Sequence, residues 1–274
     1  MSTLIFILLL LIGLVLIIWL GLLIKPKPFA LPKLVGEDPV MVPLPQGLPA
    51  PVERFYRTLY GDHLPVIHSA IFIGRARIRP FGLWLPARFV FVHDAGRSYR
   101  HYFEATFFGV PFLRVNEGYI DGESFFESPM GTYHNDANTN QGANLALWAE
   151  AGLFPSLWIT DPRLRWAEVD ENTALLFVPY EDQTENFVMR FDPNTGLLTM
   201  MEAMRYREPG EGKAKILWIA RTEPGDPLPL TRVSAKGSAI WFDQGKPWAY
   251  FTQEKVIYNA DIQEYMNRRG WYPR

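Results

Sequence analysis

The chain opens on an unbroken apolar segment, and polar and apolar positions alternate along most of the remaining residues. Leu4 to Ile24 contains no charged or strongly polar side chain. A helix over these 21 residues spans about 31 Å, which matches the ~30 Å hydrocarbon core of a bilayer. Such a helix also satisfies its own backbone hydrogen bonds, as lipid requires. The pattern predicts a single-pass membrane anchor over residues 1–24, with the lipid bilayer as its partner.

A cleavable signal peptide and a buried core helix are the alternatives to an anchor. A signal peptide carries basic residues before its apolar run and small residues at its cleavage site. Here the first basic residue is Lys25, and Pro26 and Lys27 come directly after it. Uniformly apolar helices of this length are rare in soluble domains. The lysines after the span favour a cytoplasmic domain, but long domains are also translocated regardless of charge, so the side of the membrane stays open.

Proline dominates the next segment. The segment from Lys25 to Pro51 contains eight prolines, Pro51 included, which remove backbone donors and fix φ. This composition predicts a semi-rigid stalk over residues 25–50, in polyproline II geometry, which either stands off the domain or lies along its surface. Pro51 suits the first turn of a short helix that ends before Gly61. A globular domain is predicted over residues 51–274.

Alternating apolar positions in this domain predict antiparallel strands. They run from Val66 to Asp121 and again from Thr173 to Tyr258, with turn residues about every ten positions. Both faces of the early strands are apolar: Phe89 and Phe91 lie on one face and Val90 and Val92 on the other. An antiparallel sheet normally leaves one face to water. We therefore expect both faces to be covered, by helices, by closure into a barrel, or by a ligand.

One central helix interrupts the strands. Leu145, Trp148, Ala149 and Gly152 have helical spacing, and the helix is predicted to begin near Asn140. Residues 122–139 are polar and are expected to be irregular, and the acidic run at 168–171 to be a solvated turn. The predicted fold is α+β: an N-terminal transmembrane helix, then a curved antiparallel sheet of about nine or ten strands packed on a central helix.

Composition and motifs exclude several functions. The net charge is −2, and no basic patch with interleaved aromatic residues is present, which argues against a nucleic-acid partner. The chain lacks cysteine, so disulfides, thiol catalysis and lipoprotein anchoring are excluded. A nucleophile elbow and a phosphate-binding glycine loop are also missing.

The five histidines show no metal-binding spacing. His134 and Asp136 offer two ligands in a loop, which do not make a site. Neither a metal nor another cofactor is therefore expected. Glu150 is the one acid of interest, because a carboxylate at the edge of an apolar cavity can bind a head group or act as an acid. The alternative is a purely structural role for Glu150, in an ion pair with an arginine such as Arg163 or Arg165.

Short motifs carry a resemblance to a known family. Residues 51–56 (PVERFY), residues 150–155 (EAGLFP) and Trp166 ahead of a strand resemble an uncharacterised bacterial family of membrane-anchored proteins, over roughly residues 51–258. That family is similar in fold to the LolA/LppX lipoprotein-carrier type. The resemblance implies a curved, unclosed sheet around helices with an apolar cavity, and it implies no catalytic residues. It also favours an extracytoplasmic domain, against the charge bias after the span. The missing lipidation cysteine departs from LppX-like lipoproteins.

Three functions remain as hypotheses. The first is a membrane-tethered, non-catalytic binding domain for a lipid or another apolar ligand. The second is an accessory or scaffold subunit that packs against other integral membrane subunits. The third is an enzyme, for example a hydrolase that uses Glu150, and the sequence leans against it. The candidate cavity residues are Phe89, Phe91, Phe103, Phe107, Trp148, Glu150 and Trp241.

Overall fold

A computed structural model describes residues 2–80, 82–268 and 270–271. Within these residues the helices are α1 (Ser2–Leu23), α2 (Ala50–Tyr60), α3 (Ala137–Glu150), α4 (Leu157–Thr160) and α5 (Gln263–Met266). Strands of the first half are β1 (Met41–Pro43), β2 (His63–Pro65), β3 (Ser69–Ile78), β4 (Leu85–Asp94), β5 (Ser98–Phe107), β6 (Val110–Ile120), β7 (Glu123–Ser128) and β8 (Gly131–His134). Strands of the second half are β9 (Arg165–Asp170), β10 (Thr173–Tyr180), β11 (Gln183–Phe191), β12 (Leu198–Arg205), β13 (Ile216–Pro227), β14 (Ser234–Trp241) and β15 (Lys246–Tyr258).

Thirteen of the described strands form one antiparallel sheet in the order β8-β7-β6-β5-β4-β3-β15-β14-β13-β12-β11-β10-β9. The chain therefore runs from the middle of the sheet to one edge, crosses to the opposite edge through α3 and α4, and returns to the middle. The two halves join where β3 pairs with β15. The edge strands β8 and β9 do not pair with each other, so the sheet stays unclosed. The predicted α+β architecture is confirmed.

Helix α3 lies in the concavity of this sheet, because it contacts strands of both halves, namely β6, β7, β10 and β12. Asp136 caps its first turn by accepting hydrogen bonds from the backbone N–H groups of Asn138 and Thr139. Nearly the whole helix is buried, including polar side chains such as Gln141 and Asn144. These amides bond to neighbouring strands: Gln141 Nε2 donates to the carbonyl of Met204, and Asn144 Nδ2 donates to the carbonyl of Pro179. The helix is thereby held in place along its length.

Apolar side chains cover both faces of the middle strands, as the two-faced pattern required. On the concave face, Phe72 and Phe89 belong to the main core together with α2 and α3. On the opposite face, Ile71, Val90 and Tyr102 form a second cluster. Helices cover the concave face, whereas Phe29 of the stalk and the C-terminal residues Ile262, Tyr265 and Trp271 cover the other face.

The stalk lies along this second face. Phe29 is 7% exposed, and its ring lies 5.7 Å from that of Tyr102 and 4.3 Å from the guanidinium carbon of Arg88. The backbone N–H of Glu37 donates to the carbonyl of Asn259, and Trp271 Nε1 donates to the carbonyl of Ala30. Residues 25–37 therefore form a packed strap together with the C-terminal segment.

Several local predictions differ from the structure. Residues 122–139 were expected to be irregular, but β7 and β8 lie there and extend one edge of the sheet. β7 reads ESFFES and β8 reads GTYH, so Phe125 and Phe126 are adjacent and Thr132 is the one β-branched residue of the two strands, which weakens the strand signal. The acidic run at 168–171 lies largely in the exposed edge strand β9, not in a turn. These strands explain why the sheet has thirteen strands where nine or ten were predicted.

Helix α1 leaves its apolar side chains exposed along most of its length. Residues Thr3–Leu23 have the length and apolar composition of a membrane span, and a signal sequence has the same properties. The C-terminal end of α1 contacts the β5–β6 turn, where the backbone N–H of Phe108 donates to the carbonyl of Gly21 at 3.0 Å. A side chain in place of Gly21 would overlap with the ring of Phe107.

Candidate functional site

The β4–β5 hairpin builds one wall of the site. Phe91 pairs with His101, and His93 pairs with Tyr99. Because alternate residues of a strand share a face, these four side chains point to the same side of the sheet. Gly96 closes the hairpin at a φ of +73°, a conformation that favours glycine. The short turn fixes the register and brings the two histidines together, although they are eight positions apart.

Glu150, at the C-terminal end of α3, meets both histidines. Its Oε2 atom lies 2.8 Å from Nε2 of His101 and 3.2 Å from Nε2 of His93. The other ring nitrogen of His101 lies 3.1 Å from Oε1 of Glu117, which is its direct neighbour on β6. His101 is thus held between two carboxylates, one from the sheet and one from the helix.

The two histidines experience opposite electrostatic surroundings. Burial lowers the pKa of His93 to about 4, and the nearby Glu150 carboxylate only partly offsets this. Burial also lowers the pKa of His101, but Glu150 and Glu117 outweigh it and raise the pKa to about 9. His93 is therefore neutral at pH 7 and His101 is protonated. The buried guanidinium of Arg205 adds a second positive charge near the two carboxylates.

His93 is completely buried, and its ring nitrogens lack hydrogen bonds to the described residues. The 3.2 Å contact between its Nε2 and Glu150 Oε2 is close enough for an ion pair but does not have the geometry of a hydrogen bond. Buried polar atoms are normally paired, so an orphaned imidazole in the core requires a physical reason.

Aromatic rings hold the imidazoles in place. The ring of Phe91 stacks on His101 with a centroid distance of 3.9 Å, and Phe154 packs edge-on against His93 at 5.5 Å. Phe89 and Phe103 lie behind Phe91, at 4.3 Å and 5.2 Å from its ring. This apolar shell explains the strong desolvation of both histidines.

A cleft of about 190 Å³ begins at Phe91 and Glu150 and opens to solvent. Its wall is mostly apolar and combines α2, the end of α3 and the strands β12 to β15; the apolar lining includes Phe55, Leu59, Phe91, Ala149, Leu153, Leu198, Met201, Trp218, Ala220, Val233, Ala239 and Phe251. Three exposed cationic side chains, Arg221, Arg232 and Lys236, lie on the same cleft. Among the residues that the structure describes, none of the three has a carboxylate partner within 4.0 Å.

The structure brings together only part of the predicted cavity set. Phe91 and Glu150 line the cleft, and Phe89 and Phe103 pack directly behind Phe91. Trp148 is buried in α3, with Arg163 5.3 Å from its ring.

The remaining two lie elsewhere in the fold. Trp241 lies at the end of β14, with Arg205 and Arg207 each 5.6 Å from its ring. Phe107 packs against α1 at Gly21. A ligand contact for any of the seven residues stays a prediction.

Three further residues of the site, His93, His101 and Glu117, did not stand out in the sequence. Metal motifs on helices and in loops have characteristic histidine spacings. In a β-hairpin, by contrast, histidines come together when they lie on the same face of the two paired strands. Phe89, Phe91 and His93 alternate up to the Asp94–Arg97 turn, and Tyr99, His101 and Phe103 alternate after it. Counting odd positions across that turn would have placed both histidines beside the phenylalanines.

The fold and the cleft define an α+β domain in which a curved antiparallel sheet wraps around a buried helix. The chain belongs to a family of unknown function, DUF6544, whose model matches residues 39–253. This confirms the resemblance to an uncharacterised family. Among curated proteins, none matches the sequence.

Solved structures of similar proteins include the LolA type. A LolA superfamily protein from Nitrosomonas europaea is 7% identical, with a TM-score of 0.45 over 81% of this chain and 99% of that chain. A structure described as an outer membrane lipoprotein-sorting protein domain from Vibrio parahaemolyticus is 7% identical, with a TM-score of 0.41 over 78% and 92%. A DUF1329 family protein from Desulfovibrio piger is 10% identical, with a TM-score of 0.39 over 72% and 88%. The expected LolA-type neighbours are found; at these TM-scores they carry no functional inference.

Proposed function

We propose that the protein is a membrane-tethered, non-catalytic binding domain for an apolar ligand with an anionic head group, of the lipid class. The observation that carries the proposal is the apolar cleft, which bears unpaired cations where it meets solvent. Ligand sites are typically apolar clefts with a few polar groups that orient the ligand. An amphiphile matches both parts of this lining.

The cleft size limits what its interior holds. Its volume of about 190 Å³ lies below the range of about 300–1,000 Å³ that is usual for whole drug-sized ligands. The interior therefore suits part of one acyl chain, with Met201 and Trp218 as its walls. The head group remains at the surface, where Arg221, Arg232 and Lys236 offer positive charge. A carboxylate or a phosphate satisfies these side chains equally well.

Helix α1 supports the membrane tether, because its side chains are exposed and apolar over the length of a bilayer. The β5–β6 turn against its C-terminal end also carries exposed apolar residues, namely Phe108, Val110 and Phe112. This ridge is continuous with the end of α1 and suits the interface of the same bilayer.

Most of the cleft lining lies on β12 to β15, whereas this ridge lies at the β5–β6 turn. The β13–β14 loop, which carries Arg232, lies at the opposite end of the strands from the β5–β6 turn, as the pairing registers require. Strand β5 alone, with ten residues, spans about 33 Å. Arg221 and Lys236 lie nearer to the level of that turn, in register with Thr106 and Glu104 through β15, β3 and β4.

Photolabelling of the full-length protein in lipid nanodiscs tests the proposal. A fatty acid with a diazirine on its chain is expected to label peptides that contain Met201 or Trp218. Labelling of α1 reports bilayer lipid in the same sample. The Ala220→Trp variant fills the cleft and is expected to abolish the cleft label while the α1 label persists. Ala214→Trp, at an exposed residue outside the cleft lining, serves as the matched control.

The proposal fails if the probe labels α1 but leaves cleft peptides unlabelled in the wild type. It also fails if Ala220→Trp and Ala214→Trp give the same cleft labelling. A complementary measurement extracts co-purified lipid from the detergent-purified protein and identifies it by mass spectrometry. A bound amphiphile in about one equivalent per chain, lost in Ala220→Trp, supports the same conclusion.

A further inference from the structure

Two histidines and a glutamate converge at the inner end of the cleft. One ligand atom from each of His93, His101 and Glu150 lies within 4.8 Å of one from each of the others. We propose that these three side chains bind one divalent transition-metal ion, with Zn²⁺ and Fe²⁺ as the candidates, and leave a coordination position open toward the cleft. This inference goes beyond the binding of an apolar ligand and is based on the geometry of these three side chains.

The distances suit a first-row metal ion. Imidazole nitrogens and carboxylate oxygens bind Zn²⁺ at about 2.0–2.2 Å, so neighbouring ligand atoms of a tetrahedral site are about 3.3 Å apart. The two separations from Glu150 Oε2, 2.8 Å to His101 and 3.2 Å to His93, lie near this value. The third separation, between the ligand nitrogens of His93 and His101, is at most 4.8 Å. Two histidines with one carboxylate form a recurring set for Zn²⁺ and for non-haem Fe²⁺.

His93 provides the second, independent observation. It is 0% exposed, and both of its nitrogens lack a hydrogen-bond partner among the described residues, although Nε2 approaches Glu150. A neutral imidazole in this position presents a lone pair that nothing in the described structure uses. A metal ion between His93 and Glu150 would use it. A purely structural role for this histidine leaves the buried nitrogens unexplained.

Glu117 completes the arrangement as a support for His101. Its carboxylate lies 3.1 Å from Nδ1 of His101, while Nε2 of the same ring points to Glu150. Metal-binding histidines usually donate their second ring N–H to a carboxylate or a carbonyl, which fixes the tautomer and orients the ring. The in-register pairing of His101 with Glu117 builds this contact into the sheet.

The competing interpretation is a structural ion-pair cluster. In the metal-free protein a proton on His101 supplies the positive charge between Glu117 and Glu150, and Arg205 supplies another. A metal ion would displace that proton and occupy the space between the ligand atoms. The two interpretations differ in one measurable property, the stoichiometric binding of a divalent ion at His93.

Glu150 also lines the cleft, so a metal bound to it lies at the inner end of the apolar wall. Three protein ligands leave at least one position free for water or for an oxygen ligand. The open position is therefore reached through the cleft, between Phe91 and Glu150.

Metal titration of the full-length protein in detergent tests the proposal. After dialysis against a chelator, the protein is titrated with Co²⁺ while visible absorption is recorded, and with Zn²⁺ in competition with a chromophoric chelator. The expected result is one equivalent of Zn²⁺ per chain, bound more tightly than about 10 µM. Anaerobic Fe²⁺ in the same competition ranks the two candidate metals.

Matched variants assign the ligands. Glu150→Gln and His93→Gln are each expected to weaken Zn²⁺ binding at least 100-fold, and Glu117→Gln about 10- to 100-fold. His134→Gln removes an exposed histidine outside the cluster and is expected to leave the affinity unchanged. Because His93 is buried, circular dichroism verifies the fold of each variant. If His93→Gln does not fold, Glu150→Gln, which is isosteric and half-buried, shows whether the cluster binds the metal. The proposal is overturned if the wild type binds no stoichiometric ion at 10 µM, or if Glu150→Gln binds Zn²⁺ as tightly as His134→Gln.

Discussion

The Nε2 atom of His101 lies 2.8 Å from Oε2 of Glu150, and this contact joins the middle of the sheet to the end of its central helix. His101 comes from β5, in the first half of the sheet. Glu150 ends the main helix of the segment that crosses to the other half. The contact therefore fixes this crossing segment against the first half of the sheet at the inner end of the cleft, where a change in either residue affects both stability and the shape of the site.

Glu150→Gln is expected to lower the free energy of unfolding of the metal-free protein by about 1.5–3 kcal/mol, because it removes the charge from a hydrogen bond to a buried, protonated imidazole. Chemical unfolding in detergent with excess chelator measures the change. Glu208→Gln is the control: Glu208 and its partner Lys213 are both about half exposed, so solvent screens this pair and its loss changes stability little. Equal losses in the two variants would contradict the importance of the His101–Glu150 contact.

Cationic residues at the cleft should select the charge of the ligand. In the photolabelling experiment, the double variant Arg232→Gln with Lys236→Gln is expected to lower cleft labelling by the fatty acid about 10-fold, since each lost contact of an exposed cation costs about 0.7 kcal/mol. Labelling by the corresponding fatty alcohol should not change. Lys246→Gln, at the opposite end of the strands, serves as the control. A parallel loss for acid and alcohol would show that the variant distorts the cleft and does not act through charge.

The sequence was sufficient to predict the anchor-like helix, the antiparallel pattern and the buried central helix, because each depends on local periodicity. Glu150 was singled out because this carboxylate lies two positions after Trp148 in an apolar context. Its partners were missed because His93 and His101 meet only through the register of a hairpin, and Glu117 joins them through a third strand. Long-range pairing of this kind is set by the turn lengths and by the core, and neither is visible in residue spacing alone.

The periodicity of the sequence also did not show which segment covers the second face of the sheet. Val90 and Val92 indicated that something covers this face, but a proline-rich strap has no periodic signal. The stalk was expected either to stand off the domain or to lie along it. Phe29, enclosed by Arg88 and Tyr102, explains why the strap is held against the sheet.

Phe29→Ala is expected to lower the free energy of unfolding by about 3 kcal/mol, as for other large-to-small changes in a packed cluster. Phe29 is 7% exposed, so the truncation opens a cavity between the strap and the sheet. Val35→Ala in the same segment is the control, because Val35 is 90% exposed and its truncation should change stability by less than about 0.5 kcal/mol. Similar small effects for both variants would mean that the strap does not contribute to folding.

Gly74→Ala is expected to destabilise the junction between the two halves of the sheet. A Cβ atom at this position would overlap with the backbone carbonyl of Thr252 on β15 and would press on the ring of Phe89. Since the backbone cannot yield without breaking the β3–β15 pairing, a loss of at least about 2 kcal/mol is expected. Thermal unfolding measures it, with Gly13→Ala as the control because nothing lies within 4 Å of that position. An unchanged midpoint in Gly74→Ala would show that β15 shifts freely past β3.

The orientation of the domain on the bilayer can be measured because the chain contains no cysteine, so a single introduced thiol can be labelled uniquely. Val110 is 64% exposed in the ridge next to the end of α1, and Arg97 is exposed in the turn at the other end of β5, about 33 Å away along the strand. A fluorophore on Val110→Cys is expected to be quenched by lipids with brominated acyl chains, because it lies at the membrane interface. The same fluorophore on Arg97→Cys should remain unquenched. Quenching at Arg97 and not at Val110 would reverse the orientation and bring the β4–β5 turn to the anchoring bilayer. Absence of quenching at both positions would mean that the domain stands away from the membrane, and the apolar ridge would then require a protein partner.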